Sequence, residues 1–216
     1  MIIVGAKGFA KEVLEILHQL NYRDTIFFFD NVSKDISNEV FSRFRVLRSF
    51  EEVSEVFKTQ SNKFTLGIGN PINRYTLYNE FLKRGGQFSS TISPFARIGN
   101  FDNQIDEGCN IMTGTVITNS IQIGKGVLLN LNCTVGHDSR IGNFSEFSPG
   151  THISGNCDVG EFCVFGTNST MLPKTKIGFN VIVGAGAVIT KDVPSNTLVV
   201  GVPAKIVKEL PVLSLS

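Results

Sequence analysis

Apolar and polar positions in the first part of the chain follow two alternating patterns. Short apolar runs at Ile2–Val4, Thr25–Phe29 and Phe64–Ile68 each end in turn residues, which is typical of buried strands. Apolar residues at helical spacing follow the first and third runs, at Val13, Leu14, Ile16, Leu17 and Leu20, and at Tyr75, Leu77, Tyr78, Phe81 and Leu82. This strand–helix–strand order predicts an α/β domain with a small Rossmann-like parallel sheet over residues 1–88.

From Ile105 onward the apolar positions recur every six residues. Fifteen successive positions at this spacing are all apolar: Ile105, Ile111, Ile117, Ile123, Leu129, Val135, Ile141, Phe147, Ile153, Val159, Phe165, Met171, Ile177, Val183 and Ile189. At an apolar content of 42%, chance would produce such a series on the order of one time in 10⁵. Ile92 and Ile98 extend the series backwards across a slip of one residue.

Two further positions of the repeat are restricted. The residue four after each apolar position is small or β-branched, as at Cys109, and a glycine often follows the apolar position, as at Gly136. A large interior residue, a small residue near a corner and a turn glycine are typical of a parallel β-helix, in which each hexapeptide is a strand plus a corner. With three hexapeptides per coil, residues 18 apart would stack, and residues 89–216 would form this second domain in about five coils.

Composition narrows the class of protein. The 216 residues carry 20 Lys and Arg against 19 Asp and Glu, so a nucleic-acid binder that works by bulk charge is disfavoured. The sequence contains no run of 18 apolar residues, so no transmembrane helix is predicted. The first residues lack the basic segment and the long apolar segment of a signal peptide. We therefore expect a cytoplasmic protein without a nucleic-acid or membrane partner.

The cysteines and histidines of the repeat argue against a metal site. All four cysteines occupy the small interior position, where a thiol is an inert packing group, and none forms a C-x-x-C pair. A zinc site needs about three protein ligands, and the repeat contains only two histidines, His137 and His152. The sequence therefore predicts no metal.

His137 is the candidate catalytic residue. It lies two positions after Val135, where side chains face outward, and Asp138 follows it directly. A neighbouring carboxylate stabilises the imidazolium and so equips a histidine as a general base. One coil later the same position holds Gly155, whose backbone N–H would be open to a ligand. The alternative, that His137 and Asp138 are ordinary surface residues of a corner, stays open on these residues alone.

The chain resembles the left-handed β-helix acyltransferases. The resemblance is carried by Gly136-His137-Asp138 followed by Arg140-Ile141-Gly142, by the hexapeptide array, and by Gly201-Val202-Pro203-Ala204-Lys205. The segment from Ile3 to Val13 is similar to a bacterial branch that contains sialic acid O-acetyltransferases and the bacillosamine and perosamine N-acetyltransferases. This similarity covers nearly the whole chain, and it implies the left hand of the β-helix.

The resemblance implies a homotrimer whose active sites lie between subunits, with acetyl-CoA along the β-helix and the nucleotide of a sugar on the first domain. It places His137 and Asp138 in the catalytic roles. It implies acetyl-CoA contacts at Glu146, Gly155, Thr167 and Ala185. It implies nucleotide-sugar contacts at Lys7, Gly8, Phe9, Asp30, Asn31, Gly69 and Asn70.

Two residues depart from the family pattern. Relatives commonly have histidine where this chain has Phe9, which bears on the identity of the sugar. They also commonly have histidine where this chain has Glu146. A carboxylate accepts hydrogen bonds where an imidazole can donate one, so the acetyl-CoA contact at this position changes in character.

Charged and glycine residues add support for a phosphate-bearing ligand. Five of the eight basic residues beyond residue 90 lie near the end of the array, where they could meet the phosphates of CoA: Lys174, Lys176, Lys191, Lys205 and Lys208. We take Lys191 and Lys205 as cofactor contacts, with solvated surface lysines as the alternative. The loop from Gly5 to Gly8 could place backbone N–H groups against a pyrophosphate, or could be a plain strand–helix turn.

Together these features predict direct acetyl transfer from acetyl-CoA to a nucleotide-linked 4-amino-4,6-dideoxy sugar, for synthesis of a surface glycan such as O-antigen or capsule. His137 would be the general base, and the Gly155 N–H would stabilise the thioester oxygen. A sialic acid O-acetyltransferase and a non-catalytic β-helix scaffold are the alternatives. Only Lys125 and Arg140 are basic between Ile98 and Pro173, a scarcity that predicts outer faces packed in an oligomer.

Overall fold

The computed structural model describes residues 1–214, so residues 215 and 216 of the predicted second domain lie outside the description. A mainly parallel sheet flanked by helices forms the first part of the chain. Its elements are β1 (Ile2–Val4), α1 (Gly8–Gln19), β2 (Phe27–Phe29), β3 (Glu39–Val40), β4 (Phe44–Leu47), α2 (Phe50–Thr59), β5 (Lys63–Leu66), α3 (Pro71–Leu82) and β6 (Gln87–Phe88).

The six strands are ordered β3-β4-β2-β1-β5-β6, and all neighbours are parallel except β3 and β4. Successive residues of the central strands face opposite sides. Ile3 and Phe28 belong to the core beneath α1, whereas Ile2 and Phe29 belong to the core beneath α2 and α3. Central strands of a parallel sheet are buried on both faces, which explains their continuous apolar runs.

The apolar pattern missed α2 and the β3–β4 pair. A local signal for α2 was present, because Ser49 caps the helix by accepting a hydrogen bond from the backbone N–H of Glu52, the spacing of a capping box. Val53 and Val56 are the buried residues of this helix. Within residues 1–214, no helix is both long enough and apolar enough to cross a bilayer.

The second part of the chain is a three-sided parallel β-helix of two-residue strands that ends in a hairpin. Its strands are β7 (Thr91–Ile92), β8 (Arg97–Ile98), β9 (Gln104–Ile105), β10 (Asn110–Ile111), β11 (Val116–Ile117), β12 (Gln122–Ile123), β13 (Leu128–Leu129), β14 (Thr134–Val135), β15 (Arg140–Ile141), β16 (Glu146–Phe147), β17 (His152–Ile153), β18 (Asp158–Val159), β19 (Val164–Phe165), β20 (Thr170–Met171), β21 (Lys176–Ile177), β22 (Ile182–Val183), β23 (Val188–Ile189), β24 (Thr197–Val200) and β25 (Lys205–Glu209).

The strands stack into three sheets, which we call faces 1, 2 and 3. Face 1 contains β7, β10, β13, β16, β19, β22, β24 and β25; face 2 contains β8, β11, β14, β17, β20 and β23; face 3 contains β9, β12, β15, β18 and β21. Residues 18 apart are paired, as Ile111 with Leu129 and Val135 with Ile153, so three hexapeptides make one coil as predicted. The apolar positions of the repeat form one interior stack.

The corners require a left-handed backbone, and the repeat supplies it at fixed positions. The chain turns from face 2 to face 3 (the 2/3 corner) at five residues with positive φ, namely Asp102, Ser120, Asp138, Asn156 and Lys174. Short polar side chains tolerate this conformation better than bulky ones. The one-residue slip in the repeat lies at the same corner, where the Asn103 amide donates to the carbonyls of Gly99 and Thr118.

Phenylalanines occupy left-handed positions at the corner between faces 3 and 1 (the 3/1 corner). Phe144 and Phe162 have φ of 55° and 58°, and their rings stack with centroids 5.8 Å apart. Both rings meet Tyr75 of α3 edge-on. Burial beneath α3 offsets the strain of a bulky residue in this conformation. Through these contacts the α/β part packs against the β-helix, and the two parts share one apolar core.

Candidate active site

His137 lies at the 2/3 corner, between β14 and β15. Its Nδ1 is 2.7 Å from Asp138 Oδ2, and 63% of the His137 side chain is exposed. Asp138 also has a φ of 57°, so one short acidic residue both forms the corner and holds the imidazole. An ionised carboxylate only accepts hydrogen bonds, so it favours the tautomer with the proton on Nδ1 and a basic lone pair on Nε2. The pair is therefore arranged to take up a proton at Nε2.

Gly155 lies directly beneath the imidazole, one coil later. A Cβ on Gly155 would be 2.6 Å from His137 Nε2, so the imidazole can lie here only over a glycine. Among residues 1–214, the Gly155 N–H donates to no backbone oxygen. The corner thus presents an unused N–H group beside a candidate base.

Gly155→Ala tests this close approach. The added methyl group should push the imidazole into solvent, and we expect kcat to fall by about 10- to 100-fold because the base is misplaced. The unfolding temperature should hardly change, because the exposed imidazole can move without disturbing the core. Steady-state kinetics and thermal unfolding measure both quantities, and unchanged kcat would contradict this account of the corner.

The predicted acetyl-CoA residues occupy separate parts of one chain. Thr167 and Ala185 are exposed at the corner between faces 1 and 2 (the 1/2 corner), in neighbouring coils that are linked by the Gly186 N–H and the Thr167 carbonyl. Lys191 and Lys205 line one cavity of about 340 Å³ at the end of the β-helix, together with Pro203. The structure thus brings the two lysines together.

The predicted nucleotide-sugar residues gather at one edge of the α/β sheet. Gly5 to Phe9, Asp30-Asn31 and Gly69-Asn70 follow β1, β2 and β5, which are adjacent strands, so the three loops meet at their carboxyl ends. Ligands of open α/β sheets bind at this edge. Gly5 has a φ of 117°, and a Cβ there would lie 2.7 Å from the Gly67 carbonyl oxygen. The first and third loops are therefore in contact.

Several of these loop residues also have structural roles. Asp30 Oδ1 accepts the backbone N–H groups of Val32 and Ser33, and Asn70 Oδ1 caps α3 by accepting from Asn73. Phe9 packs partly buried at the junction of α1 with the β-helix. Four members of the set are exposed: Lys7, which pairs with Asp35 at 2.9 Å, Gly8, Asn31 and Asn70.

Arg74 of α3 was missed by the sequence analysis. Its side chain is completely buried and donates to Ile68 O at 2.8 Å, Gly126 O at 2.9 Å and Asn110 Oδ1 at 2.9 Å. Burial lowers the pKa of Arg74 to about 10, so it remains charged at neutral pH. A signal was present, because Arg74 shares the apolar stripe of α3 with Tyr78 and Phe81 at i, i+4 and i+7.

Glu146 of β16 lies against the third loop of the α/β domain. A Cβ on Gly69 would be 3.0 Å from Glu146 Oε1 and 3.4 Å from Oε2, so both carboxylate oxygens face this loop. Burial raises the pKa of the Glu146 carboxyl, and the charge of Arg74 opposes part of that rise. In one chain, Glu146 is thus placed on face 1, and His137 at the opposite corner.

Glu146→Gln is expected to stabilise the protein at neutral pH. The pKa of the Glu146 carboxyl is higher in the folded than in the unfolded state. Ionising it therefore lowers the unfolding free energy as the pH rises from the unfolded pKa to the folded pKa, and this loss persists at every higher pH. Glutamine removes this penalty, so the variant should unfold at a higher temperature than the wild type at pH 7. The difference should shrink towards zero below about pH 4. A lower unfolding temperature at pH 7 would contradict this.

The cysteines lie where the repeat predicts them. Cys109, Cys133, Cys157 and Cys163 are free and buried. Burial raises the pKa of Cys109 and Cys163 to about 12 and that of Cys133 to about 11. Such thiols are not nucleophiles at neutral pH. Across residues 1–214, no three His, Cys, Asp or Glu side chains are grouped to share a metal ion.

The hydrogen bonds between the two domains end on face 1 and its two corners. Gln19 bonds Thr113 at the 1/2 corner, Arg74 bonds Asn110 of face 1, and Lys125 donates to the Tyr78 hydroxyl at the 3/1 corner. The 2/3 corner lies on the other side of the β-helix. One chain therefore does not bring its own predicted nucleotide-sugar residues to its own His137.

Comparison with known proteins gives similarity over both domains. Residues 1–81 match the family model of the PglD N-terminal domain. A mutant perosamine N-acetyltransferase from Caulobacter crescentus, crystallised with CoA and GDP-perosamine, is 27% identical with a TM-score of 0.88, and the match covers 96% of each chain. The acetyltransferase domain of PglB from Neisseria gonorrhoeae is 29% identical with a TM-score of 0.85, covering 95% of this chain and 98% of that one.

A third similar structure is WeeI from Acinetobacter baumannii AYE. It is 30% identical with a TM-score of 0.85, and the match covers 96% of this chain and all of that one (100%). These similarities confirm the predicted fold class, an α/β domain followed by a left-handed parallel β-helix.

Proposed function

Because the chain belongs to the hexapeptide-repeat sugar acetyltransferases, in the branch of the perosamine and bacillosamine N-acetyltransferases, we propose that it acetylates the amino group of a nucleotide-linked sugar with acetyl-CoA. The observation that carries the proposal is the His137–Asp138 pair over Gly155, at an exposed corner of this fold. A 4-amino-4,6-dideoxy sugar, destined for a surface glycan such as O-antigen or capsule, is the proposed acceptor. The cytoplasm is the proposed location.

His137 acts as the general base of a direct transfer. The neutral amine forms a bond from its nitrogen to the thioester carbon, the C–S bond breaks, and CoA leaves as a thiolate that takes its proton from protonated His137. His137 Nε2 takes the proton that the nitrogen loses, and Asp138 stabilises the imidazolium through Nδ1. The Gly155 N–H donates to the thioester oxygen as negative charge develops there. No acyl-enzyme is expected at the cysteines, since the four thiols are buried.

The remaining cofactor residues form two proposed contact regions for acetyl-CoA. Lys191 and Lys205 meet phosphates at the cavity near the end of the β-helix, where two cations offset part of their charge. Thr167 and Ala185 contact the extended part of the molecule at the exposed 1/2 corner. The support is one of charge and size: two lysines line the end cavity, and small exposed residues lie at the 1/2 corner.

The nucleotide occupies the loop edge of the α/β domain. Gly8 begins α1, and a Cβ there would meet no atom within 4 Å, so a pyrophosphate can approach this helix N-terminus closely. Lys7, Phe9 and the loops Asp30-Asn31 and Gly69-Asn70 complete the proposed site.

We propose a homotrimer in which the sugar-binding edge of one subunit meets the His137 corner of a neighbour. The support is the opposite placement of these two sites within one chain. Face 2, which borders the His137 corner, presents mainly uncharged side chains, at Val116, Thr134, Thr170 and Val188, and is the proposed contact between copies. Sedimentation should give the mass of three chains, and a monomer would refute the shared site.

A thiol-release assay tests the proposed function. Acetyl-CoA is mixed with the protein and, in separate reactions, with dTDP-, UDP- and GDP-linked 4-amino-4,6-dideoxyhexoses and with sialic acid. Release of CoA with at least one member, and an amide in the product by mass spectrometry, is the expected result. Release only with sialic acid, giving an ester, would replace N-acetylation by O-acetylation. If none of these acceptors supports release of CoA, the proposal is wrong.

A further inference from the structure

Glu146 is a half-buried carboxylate without a donor of its own. No side-chain or backbone group among residues 1–214 donates a hydrogen bond to its oxygens, although Gly69 lies directly against them. A carboxylate that loses part of its contact with water and gains no hydrogen bond from the protein carries a free-energy cost, so proteins retain one where it serves a purpose. Its position at the foot of the sugar-binding edge indicates that the missing donors come from a molecule bound there.

The surrounding charges indicate which molecule this is. Arg74 is the cation whose charge acts on Glu146, but its guanidinium is committed to Ile68 O, Gly126 O and Asn110 Oδ1. Arg74 therefore favours the ionised carboxylate without using its oxygens. A free carboxylate repels phosphates and attracts an ammonium group. An aliphatic amine is largely protonated at neutral pH, so the acceptor before reaction carries the matching charge.

Arg74 also fixes the carboxylate relative to the loop. One side chain holds Ile68, the residue before Gly69, and two groups of the β-helix that carries Glu146. The sugar-binding loop and the carboxylate therefore keep one relative position although they belong to different domains. A group that recognises a substrate needs this kind of support.

We propose that Glu146 is a specificity-determining residue that binds the ammonium group of the acceptor sugar, with Arg74 as its positioning residue. The proposal rests on the function proposed above and adds to it the recognition of the amine. Glu146 acts on binding of the ammonium form of the acceptor. One proton of the ammonium passes to solvent before attack, and His137 removes a second proton as the neutral amine attacks the thioester. It also differs from the expectation that Glu146 contacts acetyl-CoA, and the experiment separates the two.

The test compares wild type, Glu146→Gln and Asp158→Asn. Asp158→Asn is the matched control, since it removes one exposed carboxylate from face 3 of the same β-helix. The probes are the dTDP-, UDP- and GDP-linked 4-amino-4,6-dideoxyhexoses, each paired with its 4-hydroxy counterpart. Titration calorimetry gives Kd for each sugar nucleotide and for CoA, and kinetics give kcat and both KM values.

In Glu146→Gln, Kd and KM for the amino sugar should rise about tenfold or more, the effect of losing one charge-assisted hydrogen bond. Binding of the 4-hydroxy counterpart and of CoA should stay within about twofold, as should all values in Asp158→Asn. An increase confined to CoA would make Glu146 an acetyl-CoA contact. Equal losses for amino and hydroxy sugars, or no loss at all, would also overturn the proposal.

Failure of this inference can be told apart from failure of the proposed function. If the wild type turns over no acceptor, the function fails, while the calorimetric preference for amine over hydroxyl still reports on Glu146. If the wild type turns over an amino sugar and Glu146→Gln keeps its KM, only the role of Glu146 fails.

Discussion

His137→Ala is expected to lower kcat/KM for the amino-sugar acceptor by about 10²- to 10⁴-fold, the usual contribution of a general base. The imidazole is exposed at a corner, so its loss removes the base without opening the core. Affinity for CoA and the unfolding temperature should stay close to those of the wild type. The measurement is steady-state thiol release with calorimetry on the same preparations.

His18→Ala is the matched control, because His18 is an exposed histidine on α1 and is expected to leave kcat/KM unchanged. Asp138→Asn should cause a smaller loss than His137→Ala. Asparagine keeps the left-handed corner and an oxygen for Nδ1 but removes the charge that stabilises the imidazolium. Near wild-type kcat/KM in His137→Ala would show that another group takes the proton.

Arg74→Ala is expected to cost about 3–5 kcal/mol of unfolding free energy. The change opens a cavity and leaves Ile68 O, Gly126 O and Asn110 Oδ1 without their donor in a buried place. Because two of these acceptors belong to the β-helix, the attachment of the α/β domain should weaken as well. Urea unfolding of the wild type and the variant measures the cost.

Two companion variants separate the causes. Arg74→Met fills most of the space but supplies no donors, so most of the loss should remain if hydrogen bonding dominates. Lys83→Ala removes a cation from the end of the same helix, where the side chain is 70% exposed and pairs with Glu80. It should cost less than about 1 kcal/mol. A cost below about 1 kcal/mol for Arg74→Ala would mean that water replaces the guanidinium freely.

The β-helix could be predicted in detail because the residues that specify each of its strands and corners lie within one hexapeptide. Each hexapeptide carries its own interior residue, small residue and corner, and stacking joins identical units 18 residues apart. The same regularity identified His137 as outward-facing and the cysteines as interior, since the phase of a residue in the repeat decides its direction. The α/β domain was predicted less fully, because α2 and the β3–β4 pair depend on a cap and a hairpin rather than on a long periodic pattern.

The candidate site was predictable only in part. The residue pair His137–Asp138 is a contact between sequence neighbours, and its 2.7 Å geometry follows from the corner. Glu146 was expected beside acetyl-CoA, and its contact with Gly69 was not foreseen. Arg74 stood as a charged residue on an apolar helix stripe, a visible anomaly whose partners could not be named from spacing.

The sequence alone was enough to predict an α/β part followed by a β-helix, the period and interior of that β-helix, and His137 as a candidate base, because each prediction rests on neighbouring or regularly spaced residues. The tertiary structure alone shows how the α/β domain packs on face 1, which acceptors bind Arg74, and that the predicted nucleotide-sugar residues and His137 lie on opposite sides of one chain. Those facts depend on contacts between residues far apart in sequence, such as Arg74 with Gly126 and Gly69 with Glu146, which no periodic pattern links. They arise where the α/β domain packs against the β-helix. The stacked rings of Phe144 and Phe162 and the buried charge of Arg74 fix the relative position of the two surfaces.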